Sequence, residues 1–138
     1  MDENLPTKNE KKILVVDDEK MVLDVLKNIL EKWEYEVETS LGATAALEIF
    51  KESPHNFGLV ITDWVMPCMN GGELIQKIRE IQDGTRLKII VMSGYPKNEK
   101  EFAETKIDGF LMKPFNFEKL KNTVREVLDA AVAAKEEV

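Results

Sequence analysis

Five polar residues of this sequence could act together on a phosphate group, and each follows a short apolar run. They comprise three carboxylates, one hydroxyl and one amine: Asp17, Asp18, Asp63, Ser93 and Lys113. Crowded carboxylates repel one another and would raise each other's pKa values. A hard divalent cation relieves that repulsion. Mg²⁺ suits a site with few carboxylates and a substrate phosphate, and Mn²⁺ is the alternative.

The amine and the hydroxyl complete a set of groups that can handle a phosphoryl group. Lys113 supplies a point charge suited to one phosphoryl oxygen, and Ser93 can donate a hydrogen bond to another. A carboxylate that faces the incoming phosphorus could act as the nucleophile and form an acyl phosphate. Because catalysis of phosphoryl transfer is mostly positioning and charge neutralisation, this small set is sufficient.

Each of these residues also has a purely structural interpretation. An aspartate after a strand is usually a helix cap or a turn residue, a Ser-Gly pair is usually a turn, and a lysine before proline is usually solvated. The conjunction of all five at the ends of successive apolar runs favours a common site.

The elements that must position these residues alternate between strands and helices. Continuous β-branched runs predict buried strands, and apolar residues at helical spacing predict helices. The strands are expected over 13–16, 35–39, 59–62, 87–92 and 109–112, and the helices over 21–33, 43–50, 74–81, 98–105 and 117–131. This order predicts an α/β domain with a doubly wound, five-stranded parallel sheet and helices on both faces. Ligands bind such sheets at the carboxyl ends of the strands, where the five polar residues should converge.

Composition and charge predict one globular domain and exclude some partners. We expect a flexible arm over 1–11, the domain over 12–132 and a frayed tail over 133–138. The net charge of −7 argues against direct nucleic-acid binding, which needs a basic surface. No apolar run is long enough to span a bilayer, and the polar start does not resemble an export signal, so we expect a cytoplasmic protein.

Five short blocks of the sequence resemble the signature blocks of response-regulator receiver domains. They are VVDDE at 15–19, ITDWVMP at 61–67, MNG at 69–71, VMSG at 91–94 and FLMKPF at 110–115. The resemblance covers roughly residues 12–130. It implies a flavodoxin-like sheet with the strand order 2-1-3-4-5.

The resemblance also implies a metal-dependent phosphorelay. Asp63 would accept a phosphoryl group from a histidine of a sensor kinase or of a histidine phosphotransfer protein. Asp18, Asp63 and the backbone carbonyl of Val65 would bind Mg²⁺ directly, and Asp17 would bind it through water. Lys113 would hold a phosphoryl oxygen.

A switch would follow phosphorylation in such a domain. Ser93 would turn toward the phosphoryl group, Phe110 would change rotamer, and the Lys113–Pro114 peptide bond is expected to be cis. The output would be a population shift, read by the protein's own output domain or by an unknown downstream protein.

Two features vary from the family's usual pattern. The segment from 96 to 107 is short for the family, so the helix predicted over 98–105 is expected to be short or irregular. Val65 and Tyr95 stand where a polar side chain could orient an attacking water. We therefore expect slow self-dephosphorylation.

The five polar residues favour a phosphoryl switch that is not itself an enzyme, but two other functions remain open. A Mg²⁺-dependent phosphohydrolase with an aspartyl-phosphate intermediate is the main alternative, although its nucleophile usually follows a first strand. A binding module that keeps the fold without the switch is a further one. His55 is expected to be a solvated loop residue, and Trp64 a partly exposed neighbour of the site.

Overall fold

The computed structural model describes residues 12–81, 87–94 and 105–136, with side chains described as far as Asp129. In chain order, its strands and helices are β1 (Lys12–Asp17), α1 (Lys20–Lys32), β2 (Val37–Leu41), α2 (Ala43–Glu52), β3 (Phe57–Asp63), α3 (Gly71–Ile81), β4 (Lys88–Ser93), β5 (Gly109–Met112) and α4 (Phe117–Glu136). A short 3₁₀ turn, Pro54–Asn56, leads into β3.

The ends of the chain and one predicted helix fall partly outside these ranges. The arm over 1–11 and the helix predicted over 98–105, apart from Thr105, lie outside the described residues. Helix α4 continues to Glu136, into the segment expected to fray. None of the helices in the described ranges combines the length and the hydropathy that a bilayer span needs.

The five strands form one parallel sheet in the order β2-β1-β3-β4-β5. The predicted doubly wound architecture and strand order are therefore confirmed. Because all strands run the same way, their last residues share one edge of the sheet, here called the carboxyl edge. Their first residues share the opposite edge, the amino edge.

Two cores hold the helices against the sheet, one on each face. Along β1, Leu14 and Val16 enter the core that α2 and α3 cover, whereas Ile13 and Val15 enter the core under α1 and α4. Burial of each such side chain contributes about 1.5–3 kcal/mol. The strand is hydrophobic on both faces because both faces are covered.

Strand β2 begins two residues later than the sequence pattern predicts. The N–H of Tyr35 donates to the carbonyl oxygen of Leu30 at 3.1 Å, and Glu34 adopts a φ of 71°. These features form a Schellman-type helix end, which usually contains glycine at the left-handed position. Because Glu34 and not glycine occupies this position, the sequence does not indicate that the helix ends here. The N–H of Tyr35 completes the end of α1, and β2 starts at Val37.

A cluster of charged side chains joins α3 to the amino edge. The Oδ2 of Asp108 accepts the N–H of Ile89 at 2.8 Å and lies 3.7 Å from the guanidinium of Arg79. The Nζ of Lys88 is 3.8 Å from the other oxygen of Asp108. Arg79 also donates to the carbonyl oxygen of Leu87 at 2.9 Å. We call Arg79, Lys88 and Asp108 the amino-edge cluster.

Candidate functional site

The carboxyl edge brings together the polar residues that the sequence singled out. Asp17, Asp63 and Ser93 are the last residues of β1, β3 and β4, and Lys113 directly follows β5. Asp17, Asp63 and Ser93 are 0%, 7% and 1% exposed, whereas Asp18 is exposed. Strand ends thus carry three buried polar groups to one position, and the residue after β1 adds a carboxylate that solvent can reach.

Lys113 ties the two buried carboxylates together. Its Nζ lies 3.0 Å from Oδ2 of Asp17 and 3.4 Å from Oδ2 of Asp63. Its backbone N–H donates to the carbonyl oxygen of Ser93 at 2.9 Å, which fixes the end of β5 against β4. The peptide bond from Lys113 to Pro114 is cis.

The three carboxylates at this edge are close enough to share a cation. One oxygen from each of Asp17, Asp18 and Asp63 lies within 4.8 Å of the others. Asp17 also accepts the backbone N–H of Glu19 at 2.9 Å through its Oδ1. Among the described residues, three carboxylates here lie beside one ammonium group, which leaves a negative excess. Such oxygen donors suit a hard divalent ion.

The electrostatics of the site raise the pKa of Asp63 to about 6. Burial is the largest cause, and the negative charges of Asp17 and Asp18 act in the same direction, while Lys113 opposes them. For Lys113, burial alone would lower the pKa, but its hydrogen bond to Asp17 and the charge of Asp63 outweigh burial and raise it. The ammonium group therefore stays charged, and burial makes the carboxylate of Asp63 easier to protonate than an ordinary aspartate.

The loop after β3 contains Val65, whose backbone carbonyl is expected to bind the metal. Val65 lies two residues beyond Asp63, and its side chain is 50% exposed. Trp64, expected to be partly exposed, is instead buried at 5% exposure. The reason is the first turn of α3: a Cβ on Gly72 would lie 2.7 Å from the indole ring, so the glycine leaves room for it. That packing joins residues eight positions apart, which local sequence pattern does not reveal.

The two predicted switch residues lie on adjacent strands. Ser93 ends β4 and is buried, and it pairs in register with Met112 of β5. Phe110 is two residues earlier in β5, pairs with Val91 and packs as a partly buried side chain against the core under α2 and α3. The structure thus gives the two residues neighbouring strands but places Phe110 away from the edge.

A histidine and a cysteine are exposed in the segments on either side of β3. His55 is exposed in the 3₁₀ turn that precedes β3, so it lies toward the amino edge. Cys68 is exposed in the loop between β3 and α3, with a φ of 70°. The position of His55 fits the expected solvated loop histidine.

Comparisons with known proteins agree with this geometry. A family model described as "response regulator receiver domain" matches residues 13–125. The chemotaxis protein CheY-3 of Vibrio cholerae is 31% identical over 122 residues, which span 86% of this chain and 92% of that protein. The two-component response regulator ARR10 of Arabidopsis thaliana is 33% identical over 85% of this chain, but the match spans only 21% of the plant protein.

A solved structure shows the same fold. The response regulator protein TrrA of Thermotoga maritima, in complex with Mg²⁺ and BeF, superposes with a TM-score of 0.75 at 34% identity, covering 85% of this chain and 98% of that one. The parallel sheet of order 2-1-3-4-5, the clustered carboxylates at its carboxyl edge and these matches support one conclusion. This chain belongs to the response regulator receiver domain family.

Proposed function

We propose that this domain accepts a phosphoryl group on Asp63 and works as a phosphorylation switch in a two-component phosphorelay. The observation that carries the proposal is the contact of Lys113 with two buried carboxylates at the carboxyl edge, 3.0 Å from Asp17 and 3.4 Å from Asp63. This arrangement holds the ammonium group of Lys113 beside the carboxylate of Asp63, which solvent barely reaches. The donor would be a phosphohistidine of a sensor kinase or of a histidine phosphotransfer protein.

The transfer is a displacement at phosphorus. A carboxylate oxygen of Asp63 forms the new P–O bond, the P–N bond to the donor imidazole breaks, and its electron pair returns to the ring. Lys113 neutralises charge on a phosphoryl oxygen, and the hydroxyl of Ser93 donates to another. These roles need little more than positioning, which the strand ends supply.

We propose that Asp17, Asp18, Asp63 and the carbonyl of Val65 hold Mg²⁺, with Mn²⁺ as a substitute. Bound Mg²⁺ would supply charge neutralisation for the carboxylates and the phosphoryl oxygens. Asp18 is exposed and can reach an ion from the solvent side, while Asp17 is fixed by Glu19 and Lys113. The donor set consists of oxygens, as Mg²⁺ requires.

Acetyl phosphate with Mg²⁺ provides a direct test that needs no partner protein. Mass spectrometry should detect one phosphoryl adduct on Asp63, and the adduct should not form when EDTA is added before acetyl phosphate. Asp63→Asn should remove it, and Asp108→Asn, a matched change at the amino edge, should keep it. An unmodified wild-type protein that also binds no Mg²⁺ in calorimetry would contradict the proposal.

We propose that the domain is a switch, not a phosphohydrolase. The nucleophile ends the third strand, and the loop after β3 folds back directly into α3 instead of enclosing a substrate. Small phosphate esters should therefore not be turned over. Ser93 and then Phe110 would respond to the phosphoryl group, and the changed surface would be read by an output domain or a downstream protein in the cytoplasm.

Large apolar side chains exposed to solvent surround the carboxyl edge. Among the described residues, the large apolar side chains exposed to solvent are Met21, Val25, Leu41, Val65, Met112 and Phe117. Each lies at the carboxyl end of a strand, in the loop after β3, or in the first turns of α1 or α4. Because a donor must bring its phosphorus to Asp63, we propose that this apolar rim contacts the histidine-bearing partner.

Removal of one rim side chain should separate partner contact from chemistry. Phe117→Ser should slow transfer from a phosphorylated histidine phosphotransfer protein by about tenfold, the effect expected of one buried interface side chain. Modification by acetyl phosphate should be unchanged. Glu118→Ser, on the same turn, is the control, and equal slowing with both phosphodonors would contradict a docking role.

A further inference from the structure

The loop between β3 and α3 closes on itself directly beside the acidic site. The N–H of Trp64 donates to the carbonyl oxygen of Met92 in β4 at 2.9 Å. The carbonyl oxygen of Trp64 accepts the N–H of Gly71 at 2.8 Å. The first residue of α3 is therefore bonded back to the residue that follows Asp63.

Gly71 touches the Asp63–Trp64 peptide so closely that no larger residue fits. A Cβ built on Gly71 would lie 2.5 Å from the carbonyl oxygen of Asp63 and 2.9 Å from Cα of Trp64. Real Cβ contacts essentially never fall below 3.0 Å, and both obstructing atoms belong to the backbone. A side chain here would have to displace the peptide by about 0.5 Å, the gap between 2.5 and 3.0 Å.

The Asp63–Trp64 peptide lies between two groups of the site. Its first residue carries the Asp63 carboxylate, and the carbonyl of Val65 lies one residue beyond it. The carbonyl oxygen of Asp63 is also held from its own strand, since it accepts the hydroxyl of Thr62 at 2.9 Å. Thr62 is fully buried. Thr62 and Gly71 therefore both restrain this one peptide.

We propose that Gly71 is a positioning residue for the acidic site. The absence of its side chain lets α3 rest on the Asp63–Trp64 peptide, and that contact sets the separation between the Asp63 carboxylate and the Val65 carbonyl. Mg²⁺ demands ligands at about 2.0–2.1 Å in nearly ideal octahedral geometry, so a shift of a few tenths of an ångström weakens binding. The metal-binding part of this inference rests on the proposed function.

The test compares Gly71→Ala with Gly109→Ala. Gly109 is also crowded, since its Cβ would lie 3.0 Å from Val127 and 3.2 Å from Ile90, but it starts β5 near the amino edge. Isothermal titration calorimetry should give Mg²⁺ affinity about tenfold weaker for Gly71→Ala and unchanged for Gly109→Ala. Thermal unfolding would show both variants to be destabilised.

Hydrogen exchange without metal provides a second, independent measurement. The amides of Trp64 and residue 71 should lose about tenfold of their protection in Gly71→Ala, while the amide of Val15 in β1 keeps its protection. A uniform loss across the sheet, or an unchanged Mg²⁺ affinity, would show a merely structural glycine and overturn the inference. If the wild-type protein binds no Mg²⁺, the proposed function fails, and the local or uniform character of exchange still decides the role of Gly71.

Thr62→Val keeps the inference testable should Gly71→Ala not fold. The change nearly preserves the shape of the side chain, and it removes the hydroxyl that donates a hydrogen bond to the carbonyl oxygen of Asp63. Mg²⁺ affinity should fall by about threefold, less than for Gly71→Ala, because the backbone contact remains. Unchanged affinity in this variant would contradict control of the site through this peptide.

Discussion

The two edges of the sheet carry charge in opposite balance. At the amino edge, Arg79 and Lys88 surround the single carboxylate of Asp108, which also accepts a backbone N–H. At the carboxyl edge, Lys113 is the cation that contacts Asp17 and Asp63 within residues 12–81, 87–94 and 105–129, and Asp18 lies close by. Counting only the part of the chain that the structure describes, the first cluster has more cations than anions, and the second has more anions than cations.

This difference separates a structural cluster from a binding site. A carboxylate that is paired and hydrogen-bonded within the protein stabilises the fold without any ligand. A group of carboxylates with too few partners destabilises the fold until a cation arrives. The pKa of Asp63 is raised first by burial, and the charges of Asp17 and Asp18 raise it further. Perturbed carboxylates in such a cluster are a physical reason to expect function.

The largest expected effect comes from removing the ammonium group at each edge. Lys113→Met should slow modification of Asp63 by acetyl phosphate by about 100- to 1,000-fold, because charge stabilisation of the transferring group is lost. Lys88→Met, the same change at the amino edge, should leave the rate unchanged. Rates would be measured by mass spectrometry, and equal rates for the two variants would remove the distinction between the edges.

Neutralising one carboxylate at each edge should change stability in opposite directions. In the folded protein the pKa of Asp63 is about 6, above the ordinary value of 3.8. The folded state therefore binds this proton more tightly than the unfolded state does, and the free energy of unfolding falls as pH rises from about 4 to 6. Asp63→Asn should therefore raise the free energy of unfolding at pH 7.5 by up to about 3 kcal/mol, and the gain should shrink below pH 6. Asp108→Asn should lower it by about 1–3 kcal/mol. Urea unfolding at both pH values measures these changes, and a destabilised Asp63→Asn at pH 7.5 would contradict the imbalance.

Mg²⁺ should stabilise the wild-type protein in a pH-dependent way. At about ten times the dissociation constant, the expected gain is about 1.4 kcal/mol. Protons compete for Asp63, so the gain should be large at pH 7.5 and decline as pH falls through about 6. Differential scanning calorimetry should show the same gain in Asp108→Asn and a much smaller one in Asp63→Asn. If Mg²⁺ stabilised the wild-type protein and Asp63→Asn equally, the ion would have to bind elsewhere.

The smallest expected effect adds a polar group to the carboxyl edge. We propose that phosphorylated Asp63 hydrolyses slowly, since the exposed, apolar Val65 cannot orient a water. Tyr95, the other position on which this prediction rests, lies outside the described residues. Val65→Gln should speed loss of the phosphoryl group by several fold, up to about tenfold. The decay would be followed after the phosphodonor is removed. An unchanged lifetime would show that this position does not control hydrolysis.

Sequence pattern was sufficient for the sheet and for the residues at its carboxyl edge. Alternating strands and helices predicted the parallel sheet, and the resemblance to receiver domains implied its strand order. A parallel sheet places Asp17 and Lys113 at one edge although 96 positions separate them. Two features depended on packing that no local pattern encodes. Glu34 ends α1 in a left-handed conformation where glycine would have signalled the stop, and Trp64 is buried because α3 begins with glycines.

The amino-edge cluster and the role of Gly71 could not be read from the sequence for the same reason. Arg79 and Asp108 are ordinary charged residues until α3 and the start of β5 meet. The Asn70-Gly71-Gly72 segment indicates a helix start, and Asn70 does cap α3 in a reciprocal pair with Glu73. That motif does not indicate that Gly71 packs against the Asp63–Trp64 peptide.

The burial of Trp64 also gives the protein an optical reporter. The indole is attached to the residue next to Asp63 and packs on the first turn of α3, so a change in the loop alters the surroundings of the ring. Trp33, the other tryptophan, lies at the far end of α1 beside Lys121. In a Trp33→Phe variant, the remaining emission would follow ion or phosphoryl-analogue binding in real time without any attached dye.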